Sequence, residues 1–276
     1  MKTLWKGAVS FGLVNIPVAM YSATENKDLK FHYLHQECMA PVNYKKVCSK
    51  CNKEIKAEEI VKGYEFQKGN YVIISEEDLA RIPQENTKTI DILDFIKLEQ
   101  LDPIYFDKSY YLEPVSGGDK AYTLIVEAMK KTGKIALAKI MIRSKQSLAV
   151  LRVKDEHLIM ETIFYPDEIR SPASLGKGIG VEKLHEKEIK MAVSLIENLS
   201  IDFDPARYQD NYRQALWEMI EAKIAGEEFV SPAPERQAGN VVDLMEALKA
   251  SVKLAEENKN EGKKKGSPKK AAKTGS

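Results

Sequence analysis

The sequence predicts an α+β fold, a strand-rich barrel or sandwich core followed by a helical region, and three observations lead there. Short runs rich in Val, Ile, Phe and Tyr crowd residues 5 to 165 with few helical patterns between them, which fits a barrel or sandwich better than a doubly wound sheet. Beyond Arg170 the apolar period becomes that of amphipathic helices. Between the early and later strands lies a long polar excursion whose Lys30 to Lys62 stretch holds all three cysteines and two of the four histidines. Excursions of that length in a compact domain are usually functional.

Trp5 to Ala23 alternates loosely and is broken by Gly7, Gly12 and Pro17, which predicts two short strands joined by a bend. Tyr71 to Ile74 is a strand, and Ser75-x-x-Asp78 is a capping box that opens a short helix ending before Pro83. Thr89 to Leu98 and Ile104 to Val115 are strands on either side of an Asp102-Pro103 turn. Asp119 to Thr132 places Tyr122, Ile125, Val126 and Met129 on one helical face, and Gly133 ends it. Three strands follow, Ala136 to Arg143, Leu148 to Val153 and Leu158 to Tyr165.

After the connector SPASLGKGIG, helices are expected over Glu182 to Leu199, with Ile189, Ala192, Val193, Ile196 and Leu199 in a stripe, and over Tyr208 to Ala225, with Tyr208, Tyr212, Ala215, Leu216, Met219 and Ile220 in another. The expected boundaries are a core over 1–170, a helical region over 171–230, a linker over 231–239, an amphipathic helix over 240–257 and a lysine-rich tail over 258–276. The 240–257 helix can be capped by Asn240 and aligns Leu244, Met245, Leu248 and Val252, an apolar stripe suited to a partner's groove or to folding back on the core.

No apolar run approaches the roughly 18 residues of a membrane span, and the start MKTLWKGAVSFG lacks the apolar stretch and cleavage site of a secretory signal. An odd cysteine number argues against a secreted disulfide scaffold, so a cytoplasmic protein without a membrane partner is expected. The net charge of +1 hides an asymmetry: residues 258–276 hold seven lysines and one acid, a net +6, which leaves −5 on the preceding 257 residues. Nucleic acid would therefore have to meet a segregated basic face, with the tail as a second contact.

One such face is visible. Between Cys38 and Lys53 stand Lys45, Lys46, Lys50 and Lys53 and no carboxylate, although an ordinary solvated surface would read the same way. Cys48-x-x-Cys51 with Cys38, and with His35 or His32 beside it, has the donor set of a structural zinc site; free thiols are the plainer alternative. His35-Gln36-Glu37 before Cys48-x-x-Cys51 imitates a zinc-dependent nucleobase deaminase. Val47 replaces the proline of that signature, and only ten residues separate its halves. Gly176-x-Gly178-x-Gly180 follows no strand and reads as a connector, His157 and His185 suit surface or core roles, and the carboxylates form no isolated pair. A binding protein is favoured over an enzyme; a helical adaptor with a polybasic tail for RNA or membrane is a further alternative.

Six blocks carry a resemblance: TLWKGAVSFGLVNIPV (3–18), YKKVC (44–48), EEIVKGYE (58–65), TKTIDI (87–92), DPIYFDKSYYLEP (102–114) and DLMEALKASV (243–252). In this order they resemble the bacterial Ku proteins of non-homologous end joining, from residue 3 to about 255. The resemblance implies a Ku-like β-barrel core whose long bridge arm, over about 30–100, closes a homodimeric ring around duplex DNA ends. It implies a C-terminal region that recruits and stimulates an ATP-dependent end-joining ligase of the ligase D type, a disordered basic tail touching DNA, and association with the nucleoid. It transfers no catalytic residue and no required cofactor, so zinc at His35, Cys38, Cys48 and Cys51 rests on spacing alone. On that reading the expected DNA contacts are Lys45, Lys46, Lys50 and Lys53 in the arm, Arg143 and Lys145 at a strand end, and Lys263, Lys264, Lys265, Lys269 and Lys270 in the tail, with solvated surface as the alternative for each.

Overall fold

The computed structural model describes residues 1–82, 88–142, 145–175, 184–227, 248 and 251–253. The chain divides into two units, Met1–Ser174 and Leu175–Ser276.

The first unit is built on a closed seven-stranded barrel. Its strands are β1 (Trp5–Phe11), β2 (Val14–Ser22), β5 (Thr89–Ile96), β6 (Phe106–Pro114), β7 (Ile135–Ile142), β8 (Lys145–Lys154) and β9 (His157–Ile163). They neighbour one another in the order β1-β2-β6-β9-β8-β7-β5. Six pairings are antiparallel; the closing one, β1 with β5, is parallel and matches Ala8 to Thr89 and Ser10 to Asp91. Closure removes the exposed edges that an open sheet would present to other chains.

Period-two alternation sends Ile16, Val18 and Met20 of β2 into the interior with Leu112, Leu158 and Met160, each at most 1% exposed. The helix α2 (Asp119–Thr132) adds its expected stripe, Tyr122, Ile125, Val126 and Met129, to the same cluster. Gly133 ends α2 in the left-handed region at φ 63°, and its N–H bonds the carbonyls of Met129 and Lys130. The Tyr122 hydroxyl donates to the Leu112 carbonyl and accepts the Leu158 N–H, both at 2.7 Å, where β6 and β9 pair these two residues. Burial raises the pKa of this phenol above its usual value, against the opposing Leu158 N–H. On β8 and β9, Arg152 and the buried Glu161 form a two-point ion pair at 2.7 and 2.9 Å.

Between Ser22 and Thr89 the chain leaves the barrel as an arm. Because β5 is a barrel strand, the arm has returned by Thr89 and does not run on to about residue 100. The arm carries a hairpin of β3 (Lys62–Gln67) and β4 (Asn70–Ile74), then α1 (Glu76–Arg81) with the expected Ser75–Asp78 capping box. Sequence reading finds β4 and not β3. None of the arm's described residues from Thr24 to Ile82 is buried. The returning foot is seated on Gly7, where a Cβ would come within 2.2 Å of the Lys88 carbonyl oxygen and 2.3 Å of the Trp5 ring. Only glycine fits so close a backbone approach.

The second unit contains α3 (Glu186–Leu199) and α4 (Asn211–Ala225). Two expectations are corrected. His185, inside the expected helix, is the N-cap residue of α3, which begins at Glu186, while Glu182 lies outside the described residues. Tyr208 stands outside α4, because Asp204 and Pro205 set a 3-10 turn and Asp210 caps the helix by accepting the Arg213 N–H at 2.9 Å. Tyr208 stacks on Phe203 instead, with ring centroids 6.0 Å apart. The stripe of α3 is exposed, Ile196 at 65% and Leu199 at 62%.

Candidate nucleic-acid interface

The cysteine-bearing part of the arm consists of two copies of one backbone turn. In the first, the His35 N–H bonds the Ala40 carbonyl, the Met39 N–H bonds the His35 carbonyl, and the Val42 N–H bonds the Tyr33 carbonyl, at 2.8 to 3.0 Å. In the second, Cys48, Lys53, Asn52, Ile55 and Lys46 repeat these bonds at 2.8 to 2.9 Å. Each turn is closed by an antiparallel bridge, Leu34 with Pro41 and Val47 with Glu54. Each turns on a left-handed residue directly after its second candidate ligand, Met39 at φ 54° and Asn52 at φ 53°. The second copy follows the first by a constant offset, His35 to Cys48, Cys38 to Cys51 and Pro41 to Glu54. Sequence reading misses this repeat, because only the last cysteine of each turn is identical.

Each turn gathers its two candidate metal ligands. His35 Nδ1 lies 3.1 Å from Cys38 Sγ. The Cys48 sulfur accepts the backbone N–H groups of Cys51 and Lys50 and the Cys51 thiol, and these bonds pull its pKa below that of an ordinary thiol. The two pairs do not merge: among the described residues no group of three or more His, Cys, Asp or Glu side chains is arranged to hold a metal. His32 is exposed.

The second turn also places the lysines. Lys46 and Lys53 occupy its hydrogen-bonded ends and Lys50 its bend. These three form no ion pair among the described residues. Lys45 does, reaching Glu54 at 2.8 Å, so it faces a carboxylate of the same turn. Lys145 similarly meets Glu168 at 3.1 Å; the Tyr165 N–H, and after it Lys145, hold that carboxyl below the usual range. Arg143, Leu244, Met245, Lys263, Lys264, Lys265, Lys269 and Lys270 lie outside the described residues. Leu248 and Val252 are in helical backbone and half-buried. Among the described residues no helix is long and apolar enough to cross a membrane.

A closed barrel whose interior is filled by its own side chains, with a long, lysine-bearing arm that buries none of its described residues, defines the architectural class of this protein. Residues 10–191 match the family model of the Ku70/Ku80 beta-barrel domain. The chain is 51% identical over 257 residues to the non-homologous end joining protein Ku of Symbiobacterium thermophilum, covering 93% of this chain and 64% of that one. It is 48% identical to the Bacillus subtilis protein of the same name, covering 91% of this chain and 82% of that one. For the protein of that name from Heliobacterium modesticaldum the identity is 45%, with 98% and 97% covered. The chain thus spans somewhat under two thirds of its Symbiobacterium relative and nearly all of the Heliobacterium one. It belongs to the Ku family, whose members are end-joining factors and not enzymes.

Proposed function

We propose that two copies of this chain close a ring around double-stranded DNA at its end, shield that end in non-homologous end joining, and bring an ATP-dependent ligase of the ligase D type to it. The observation that carries this reading is the arm. It buries none of its described residues and exposes Phe31, Tyr33, Tyr44, Tyr64, Phe66 and Tyr71 at 59% to 83%. A two-stranded hairpin is marginal by itself, and exposed apolar surface of that extent marks an interaction site. A second copy is the favoured cover, since a two-fold interface presents one patch to itself. The same arm offers Lys46, Lys50 and Lys53 to phosphates.

Such contacts carry no sequence information, which suits a factor that must accept any end. Preference for ends follows from topology, because a closed ring threads only where a duplex stops. The DNA-contact set is Lys45, Lys46, Lys50, Lys53, Arg143 and Lys145 with the tail lysines Lys263, Lys264, Lys265, Lys269 and Lys270. Leu244, Met245, Leu248 and Val252 form the ligase-docking stripe. The protein acts in the cytoplasm on the nucleoid. Binding to linear duplex should far exceed binding to a covalently closed circle of the same sequence in a competition assay. Equal grip on both would overturn the ring.

Structural zinc is part of this proposal. Each turn supplies two donors of the right chemistry, His35 with Cys38 and Cys48 with Cys51, and a tetrahedral ion would draw the two pairs together. Bound there, it would fix the turns that hold the lysines, in an arm with no core of its own. Elemental analysis of reduced, purified protein should find one zinc per chain, lost in Cys51→Ser. A metal-free protein that binds DNA ends fully would remove zinc from the reading.

A further inference from the structure

We propose that Cys48 and Cys51 are a modification site, a dithiol that peroxide closes into a disulfide. Both thiols lie on the second turn, Cys51 exposed and Cys48 half-buried, so a small oxidant in water reaches them. They stand three residues apart in sequence, inside the turn that the antiparallel bridge between Val47 and Glu54 closes. The Cys48 N–H bonds the Lys53 carbonyl and the Asn52 N–H bonds the Cys48 carbonyl, so the backbone folds back on itself over the span that separates the two thiols. The first turn has no such option, since its single thiol, Cys38, stands beside the His35 imidazole.

In the reaction one sulfur attacks a peroxide oxygen and the O–O bond breaks, leaving a sulfenic acid and releasing hydroxide. The second sulfur then attacks the sulfenic sulfur, the S–O bond breaks and water leaves. Overall two thiols lose two electrons and two protons, and one hydrogen peroxide becomes two waters. A thiol-disulfide exchange with a small dithiol reductant restores the pair.

The consequence rests on the proposed zinc site: the disulfide takes two of its four donors, releases the ion and loosens the turn carrying Lys46, Lys50 and Lys53. DNA-end binding should then fall under peroxide and recover with reductant and zinc.

The test uses the full chain, zinc-loaded and titrated with hydrogen peroxide. It follows zinc release with a chromogenic chelator, the mass of the peptide holding Cys48 and Cys51, and binding to linear duplex. The expected result is loss of two hydrogens from that peptide, release of zinc in step, and weakened binding that dithiothreitol with zinc reverses. Cys48→Ser and Cys51→Ser should abolish the mass change and Cys38→Ser should keep it, with an unchanged unfolding midpoint showing that the barrel is intact in each. Oxidation confined to Cys38, or stepwise oxygen addition at Cys48 without the bridge, would overturn the site. Zinc held through the titration with both thiols intact would overturn it too, while leaving the metal reading standing. Bridge formation in protein that never held zinc would support the modification site and sink the metal reading instead.

Discussion

Replacing Lys45, Lys46, Lys50 and Lys53 together by glutamine is expected to flatten the salt dependence of end binding as well as weaken it. Every phosphate that the protein no longer neutralises lowers the slope of log affinity against log salt by about 0.9. Three of these lysines are free of carboxylates among the described residues, which gives a change of about 2.7 per chain. Lys45 should add little, because Glu54 already holds it at 2.8 Å. Glu54→Gln is accordingly expected to strengthen binding by releasing that cation, an outcome that a merely solvated lysine surface would not produce. Affinity measured by fluorescence anisotropy at several salt concentrations decides the matter. A slope unchanged in the fourfold variant would take the arm out of the DNA interface.

The second large effect is expected at Tyr122. Its ring is part of the barrel core, and its hydroxyl bridges the Leu112 carbonyl and the Leu158 N–H. Tyr122→Phe keeps the ring and strands both backbone groups in a dry site, at a cost of about 1–3 kcal/mol. Tyr122→Ala also opens a cavity between α2 and the barrel, and large aromatic truncations of this kind cost about 3–5 kcal/mol. Urea unfolding of both variants should show this order, alanine worse than phenylalanine and both below the parent. A phenylalanine variant as stable as the parent would mean that water replaces the hydroxyl and that the bridge holds nothing together.

The elements legible in the sequence are those whose local pattern and tertiary burial agree. The α2 stripe is an example, since Tyr122, Ile125, Val126 and Met129 are the buried residues of that helix and no others. The strand β3, KGYEFQ, escapes for the opposite reason. All six of its residues are exposed, so burial imposes no alternation on it, and Gly63 and the charges at Lys62 and Glu65 resemble a loop. Strand order is not legible either, because the parallel closure joins Ala8 to Thr89 across the whole arm and no local signal encodes that pairing. Tyr208 fits the helical period of α4 by chance, while the boundary is set by the Asp210 cap.

For the candidate site, the lysine excess and the metal-donor spacing are both visible. Invisible are the Lys45–Glu54 pair, which forms only when the second turn folds its ends together, and the duplication of the turn. Hydrogen bonds and the left-handed Met39 and Asn52 define that repeat, and side-chain identity hides it.

The arm's two feet bracket one strand. On one edge of β1 the Leu4 N–H bonds the Met20 carbonyl near the point where the chain departs, and on the other the Ala8 N–H bonds the Lys88 carbonyl where it comes back. A force applied to the arm, such as the drag of a moving duplex, is therefore delivered to both sides of β1 at once. The pull enters through β2 and β5, each held on its far side by a further strand, β6 and β7, so neither is a free edge that could be peeled away from a single neighbour. Mechanical toughness thus comes from the way the loop is anchored, and insertions or deletions in the arm would leave it untouched.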